Sequence, residues 1–118
     1  MEHLLQVFKV SSDKTRLRII VLLKQQKLCV YEICEILDLP QSRVSKHLTK
    51  LRDLNFVVGE RIEQYIFYKL HLIDPVLCHL IDEIIANIDN YPQLIKDQEN
   101  LSERESFRIN DKNISIKK

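Results

Sequence analysis

The order of periodic segments constrains the fold of this chain more than any other feature of its sequence. Apolar residues recur at helical spacing in four segments, at about 2–11, 14–26, 30–37 and 41–54. Two β-favouring runs follow at 56–58 and 65–70, and a last amphipathic segment extends from 75 to about 90. The sequence therefore predicts a mainly α fold with the order α-α-α-α-β-β-α, in which the β-hairpin has a loop of moderate length.

Composition limits the classes of function. The chain has 118 residues, which suits one domain, and a single glycine, which argues against a Gly-rich phosphate loop. It contains no Ser/His/Asp, H-x-x-x-H or paired-carboxylate constellation, so we do not predict an enzyme. No apolar run approaches the roughly 20 residues of a membrane span, and no export cleavage site follows the N-terminus, so a cytoplasmic location is expected. With a net charge of +1, any nucleic-acid contact must rest on local charge.

The fourth helical segment carries a basic, hydroxyl-rich face opposite its apolar stripe. From Gln41 to Arg52 it has four Lys or Arg residues and no acid. Short hydroxyls let a helix backbone approach DNA closely, and long cations reach phosphates or guanine edges. After a short third helix and turn, this pattern predicts a helix-turn-helix whose second helix enters the major groove, with the hairpin as its wing. The candidate DNA contacts are Gln41, Ser42, Arg43, Ser45, Lys46, His47, Thr49 and Lys50, with Arg61 on the wing.

Other interpretations of these residues stay open. A solvated helical face would show the same charges, and a winged-helix module that binds proteins would use the same fold. His47 lies at the edge of the apolar stripe, where it either contacts a phosphate or packs against the preceding helix. Arg61 has two nearby glutamates, whose charges oppose a phosphate contact.

Three motifs lie on the second, third and fourth helical segments. SDKTRLRI at 12–19 is similar to a DPTRLRI motif, QSRVSKHLTKLRD at 41–53 to a QSTVSRHLKxLRE motif, and LCVYEIC at 28–34 to an LCVCDLC motif. Together they resemble the ArsR/SmtB family of metalloregulatory repressors, and most of all its arsenic-responsive branch, over roughly residues 4–90. The resemblance implies a winged helix-turn-helix homodimer that binds an inverted repeat in double-stranded operator DNA and leaves it when an inducer binds.

The resemblance also implies that the first and last helices form the dimer interface. We expect no cofactor for DNA binding and no membrane partner. The apolar stripe of the last segment supports a dimer independently, because it is wider than one small core needs. That stripe consists of Leu77, Leu80, Ile81, Ile84, Ile85 and Ile88. We expect residues 1–92 to form the DNA-binding and dimerisation domain, and the polar residues 93–118 to form a mobile tail.

The cysteines are the candidate sensor. In a chain without an export signal the three thiols are expected to be reduced. Cys29 and Cys34 match the first and third cysteines of the arsenic motif, whereas Tyr31 replaces the middle one. Thiolates are soft ligands that suit trivalent arsenic and antimony. The resemblance therefore implies an inducer, As(III) or Sb(III), bound by Cys29 and Cys34, with Cys78 as a candidate third thiol.

Spacing sets a condition on that site. Cys29 and Cys34 are five residues apart, about 140° around an ideal helix, so they converge only if Cys29 lies outside the regular helix. Three alternatives remain at this point: a repressor that senses thiol oxidation or reactive sulfur, a repressor that responds to Zn(II) or Cd(II), and cysteines that are inert buried side chains.

Overall fold

The computed structural model describes residues 1–71 and 74–117, and the side chains of 1–71 and 74–104. Within that part of the chain, the elements follow the predicted order with one further strand and one further helix, and short connections join them. The helices are α1 (Glu2–Ser11), α2 (Lys14–Gln25), α3 (Val30–Leu37), α4 (Gln41–Asp53), α5 (Pro75–Ala86) and α6 (Pro92–Lys117), with a 3₁₀ turn at Ile88–Asn90. The strands are β1 (Leu28–Cys29), β2 (Val57–Ile62) and β3 (Tyr65–Leu70).

Side-chain caps fix several helix ends. The Asp13 carboxylate accepts a hydrogen bond from the backbone N–H of Arg16 at 3.0 Å and begins α2. The Asp74 carboxylate accepts one from the N–H of Val76 at 2.9 Å and begins α5. Such caps satisfy N–H groups that have no partner inside the helix. Asp38 ends α3 in the left-handed conformation, with φ of 55°, which short polar residues tolerate.

The sheet has one more strand than the sequence predicts. All pairings are antiparallel, in the order β1-β3-β2, and β1 joins through the pairs Leu28–Tyr68 and Cys29–Phe67. β1 spans two residues, too few to show an alternating pattern. The hairpin of β2 and β3, which we call the wing, is also longer than predicted. Its expected moderate loop is a two-residue turn, with Glu63 at a φ of 57°.

The single glycine, Gly59, lies in the wing at a position where neighbouring side chains leave little room for a Cβ atom. Gly59 in β2 is opposite Tyr68 in β3. A Cβ at Gly59 would lie 2.9 Å from Cγ2 of Ile66 and 3.3 Å from Cε1 of Tyr68. Its φ is not positive. Close approach of neighbouring side chains, and not an unusual backbone conformation, therefore favours glycine at this position.

One hydrophobic core joins every helix to the sheet. α4 contributes three fully buried side chains, Val44, Leu48 and Leu51, out of four that its apolar spacing predicts to face the core; the fourth, Leu54, is half-buried. On α2 the spacing predicts Leu17, Ile20, Val21 and Leu23 to face the core, but Leu17 is half-buried while Arg18 is buried. Over the described residues, none of the helices combines the length and apolarity that crossing a bilayer requires.

The C-terminal region differs most from the prediction. The expected mobile tail from 93 onward is wrong for residues 93–104, which belong to α6 and pack against α2 and α3. Leu94 and Leu101 are buried, and Asp97 is 2% exposed. Nε and one terminal nitrogen of Arg18 each donate to a different Asp97 carboxylate oxygen at 2.9 Å. The side chains of 105–118 lie outside the described residues.

Candidate nucleic-acid interface and thiol site

The predicted DNA-contacting face of α4 is exposed. Burial of Val44, Leu48 and Leu51 fixes the rotation of the helix about its axis, so the residues on its other side face solvent. Within the described structure, Arg43, Lys46 and Lys50 form no ion pair. The exposed members of the predicted set are Gln41, Ser42, Arg43, Lys46, Thr49 and Lys50.

Two other predicted contacts on α4 are less accessible. Ser45 is half-buried. His47 faces the start of α2, where its Nε2 is 3.9 Å from an Asp13 carboxylate oxygen and its Nδ1 is 3.4 Å from a guanidinium nitrogen of Arg16. Burial lowers the pKa of His47, and the nearby Asp13 carboxylate opposes that shift. The structure thus places His47 beside the start of α2, whereas the packing alternative considered above was the preceding helix, α3.

The wing presents its predicted cation at the tip. Arg61 is exposed, and its Nε donates to the carbonyl oxygen of Glu63 at 3.3 Å. One of the two nearby acids is partly neutralised, because Nζ of Lys27 lies 3.2 Å from an oxygen of Glu60. The negative charge near Arg61, which opposes a contact with a DNA phosphate, is therefore smaller than the sequence indicates.

A short turn joins α3 to α4 and depends on the backbone of one thiol residue. The N–H of Leu39 donates to the carbonyl oxygen of Cys34 at 3.1 Å. Pro40 then forms the N-cap of α4, and its carbonyl accepts from the N–H of Arg43 at 3.1 Å and of Val44 at 3.2 Å. Leu39 and Pro40 are adjacent, so the hydrogen bond that ends α3 and those that begin α4 are made by neighbouring residues. The end of α3 therefore fixes where α4 begins.

Cys29 and Cys34 share one cavity. Cys29 pairs with β3, forms the N-cap of α3 and so lies outside the regular helix, as convergence requires. The cavity has a volume of about 530 Å³. Burial raises the pKa of the Cys34 thiol, and the neighbouring Cys29 raises it further. Besides the two cysteines, the cavity is lined by Val30, Tyr31, Gln41, Gln64, Tyr65, Ile66 and Tyr68.

Cys78 does not join this cavity within the chain. It lies on α5, with Sγ 4.0 Å from a carboxylate oxygen of Asp82. Among the side chains that the structure describes, no group of three or more His, Cys, Asp or Glu could hold a metal ion. The structure therefore brings together two of the three predicted thiols.

Apolar side chains of α1 and α5 remain in solvent. On α1, Leu5 is 59% exposed and Phe8 is 51% exposed. On α5, Val76 and Leu80 are exposed, whereas Leu77 faces the core. The wide apolar stripe predicted on α5 is thus only partly used within one chain.

Comparisons with known proteins agree with this geometry. Residues 13–58 match the family described as bacterial regulatory protein, arsR family. The chain is 38% identical over 83 residues to the arsenic resistance transcriptional regulator ArsR1 of Pseudomonas putida, covering 70% of this chain and 62% of that protein. The chain spans between 57% and 62% of the length of the first curated relatives that it matches.

Solved structures show the same fold. The transcriptional repressor PagR of Bacillus anthracis has 31% sequence identity and a TM-score of 0.62, covering 70% of this chain and 93% of that one. The antimony-specific transcriptional repressor AntR has 25% identity and a TM-score of 0.63, covering 76% and 80%. These relatives are transcriptional regulators and not enzymes, and the predicted winged helix-turn-helix is confirmed. The chain belongs to the ArsR family of bacterial regulatory proteins.

Proposed function

We propose that this protein is a homodimeric repressor that binds double-stranded operator DNA and leaves it when arsenite or antimonite binds Cys29 and Cys34. The single observation that carries the proposal is the shared cavity, which both thiols line together with Gln41, the first residue of the recognition helix α4. The names of an arsenic-resistance regulator and of an antimony-specific repressor among its relatives support this choice of inducer.

DNA binding follows from the exposed face of α4. Gln41 and Ser42 lie at its N-terminal end, where recognition helices meet base edges. Arg43, Lys46 and Lys50 follow along the same side and supply charge for phosphates or guanine edges. In this arrangement Arg61 on the wing contacts the adjacent backbone.

Dimerisation follows from the exposed apolar residues of α1 and α5. In a monomer, Leu5 and Phe8 on α1 and Val76 and Leu80 on α5 would leave their apolar surface in water. To read successive major grooves, pairing through these helices would have to place two copies of α4 about one DNA turn, roughly 34 Å, apart. An inverted repeat is the DNA sequence that such a two-fold pair reads.

Inducer binding is a ligand exchange without redox change. Two As–S bonds form at Cys29 and Cys34, two As–O bonds of arsenite break, and the two thiol protons leave with the two hydroxyls as water. The Cys29 sulfur in the resting state accepts the N–H of Glu32 in the helix cap, so binding draws it from that position. Strain in α3 then reaches the carbonyl of Cys34, on which the turn to α4 depends. A coupling free energy of about 1–3 kcal/mol would change operator affinity roughly 5- to 150-fold.

The test is an anisotropy titration of a promoter fragment from the protein's own operon, challenged with arsenite and antimonite. We expect release of the wild-type protein and retention of Cys29→Ser and Cys34→Ser. Cys78→Ser is the matched control, because Cys78 lies outside the cavity, and it should be released like the wild type. Normal release of both cavity variants would contradict the proposal.

A second candidate function, a reactive-sulfur sensor, rests on the presence of two thiols in the cavity. Two neighbouring thiols suffice for a disulfide or polysulfide link, whereas trivalent arsenic takes a third ligand. The same titration with polysulfide, Zn(II) and Cd(II) distinguishes these inputs. Release by polysulfide with a Cys29–Cys34 link in the peptide map, and no response to arsenite, would favour the reactive-sulfur sensor.

A further inference from the structure

The C-terminal helix α6 reaches the thiol site although it lies outside the matched family region of 13–58. Its residue Arg104 lines a second cavity of about 300 Å³ together with Cys29, Tyr31 and Glu32. The contacts between α6 and the thiol site therefore involve residues outside the region that matches the family.

A chain of contacts joins Arg104 to the backbone of Cys29. The Arg104 Nε lies 3.3 Å from one carboxylate oxygen of Glu32, and the other oxygen of Glu32 accepts the N–H of Cys29 at 3.1 Å. A terminal nitrogen of Arg104 contacts the Glu35 carboxylate, and the guanidinium carbon lies 6.0 Å from the centre of the Tyr31 ring. Glu32 is only 4% exposed, and burial strengthens such charge-assisted contacts.

Arg104 is held in place by a helix that is itself anchored. The buried pair of Arg18 and Asp97 attaches α6 to α2. Asn100 donates from its side-chain amide to the carbonyl oxygen of Ile36 at 2.9 Å and attaches α6 to the other end of α3. The Arg104 contact therefore acts between two fixed helices.

We propose that Arg104 is a positioning residue of the sensor: by holding Glu32 against the backbone of Cys29, it stabilises the resting cap and sets the inducer concentration needed for release. The inference rests on the proposed function for its inducer. Its physical basis is that the cap uses both the N–H and the sulfur of Cys29. An inducer that joins Cys29 to Cys34 must open this arrangement, so every contact that stabilises the cap opposes binding.

The experiment measures hydrogen exchange at the Cys29 amide by NMR, together with the arsenite midpoint for operator release. For Arg104→Ala we expect faster exchange at this amide and a midpoint lower by roughly three- to ten-fold, with unchanged affinity for DNA in the absence of inducer. Arg104→Lys should restore part of the protection. Asn100→Ala is the matched control, because it removes another α6–α3 contact without touching the cap, and it should leave the Cys29 amide unchanged.

A double-mutant cycle separates positioning from general support of α3. Glu32→Gln keeps an acceptor for the Cys29 N–H but removes the charge, so in this background Arg104→Ala should have little further effect. An effect as large as in the wild type would overturn the proposal, as would unchanged exchange at Cys29 or a raised midpoint in Arg104→Ala. If arsenite fails to release even the wild-type protein, the proposed function fails, and amide exchange alone decides the role of Arg104.

Discussion

Helices α4 and α6 are both amphipathic and both rich in charge, yet their charged side chains have different surroundings. On α4, Arg43, Lys46 and Lys50 form no ion pair with any described residue. On α6, Asp97 and Arg104 each bind partners on neighbouring helices. The partners of the α6 residues come from α2 and α3, whereas α4 has no acid of its own from Gln41 to Arg52. Unpaired charge is available to an external polyanion, whereas paired charge holds the fold together.

The largest expected effect concerns the paired charges of α6 and tests whether they stabilise the fold. Asp97→Ala leaves the Arg18 guanidinium buried without its carboxylate, and breaking a buried pair by removing one partner costs about 3–5 kcal/mol. Urea denaturation measures the free energy of unfolding. Lys96→Ala, an exposed neighbour on the same helix, is the control and should change it by less than about 0.5 kcal/mol. A similar loss in both variants would show that α6 stabilises the fold without this pair.

The next prediction concerns the unpaired cations of α4 and tests whether they bind DNA. Lys46→Ala should weaken binding to specific and unrelated duplexes alike, by roughly ten-fold at low salt, and should reduce the slope of log K against log salt by about one. The free energy of unfolding should stay within about 0.5 kcal/mol of the wild type, since Lys46 is exposed. Lys14→Ala, an exposed cation outside α4, is the control. An unchanged salt slope would remove Lys46 from the DNA interface.

The smallest effect concerns the cap beside His47, the basic residue of α4 that does contact a neighbouring helix. Asp13→Ala removes the N-cap of α2 and should cost about 1 kcal/mol at pH 7. The N–H of Arg16 lowers the pKa of Asp13 below its ordinary value of 3.8. The stabilisation is therefore complete above 3.8 and disappears as pH falls through the lower folded-state value. Denaturation of wild type and variant at a series of pH values should converge in acid, and Asp13→Asn should retain most of the cap.

The sequence predicts those parts of the fold that depend on neighbouring residues. Apolar spacing places α1 to α5 within a few residues of their observed ends. α6 depends on the contact between Arg18 and Asp97, which are 79 residues apart, and no local pattern shows such a pair. Leu94 and Leu101, seven residues apart, were the available sign of a buried helical face.

The same distinction applies to the site. The basic face of α4 follows from one segment, and its exposure matches the prediction for most residues, whereas the orientation of His47 depends on the distant Asp13. Cys29 and Cys34 are close in sequence, and their common cavity follows from Cys29 lying at the cap of α3. The contact between Glu32 and Arg104 could not be predicted, because the two residues are 72 positions apart and the arginine lies in a segment that we expect from the sequence to be a tail.

The position of Cys29 in β1 has a consequence for how the protein would release DNA. The residue begins the helix that leads to α4, and it also forms the last pair of β1 with β3, at Phe67. β3 is one of the two strands of the wing. If Cys29 binds the inducer as proposed, the change at this sulfur would act along two routes, one toward α4 and one toward the hairpin, so the two elements proposed to contact DNA would lose their alignment in the same event.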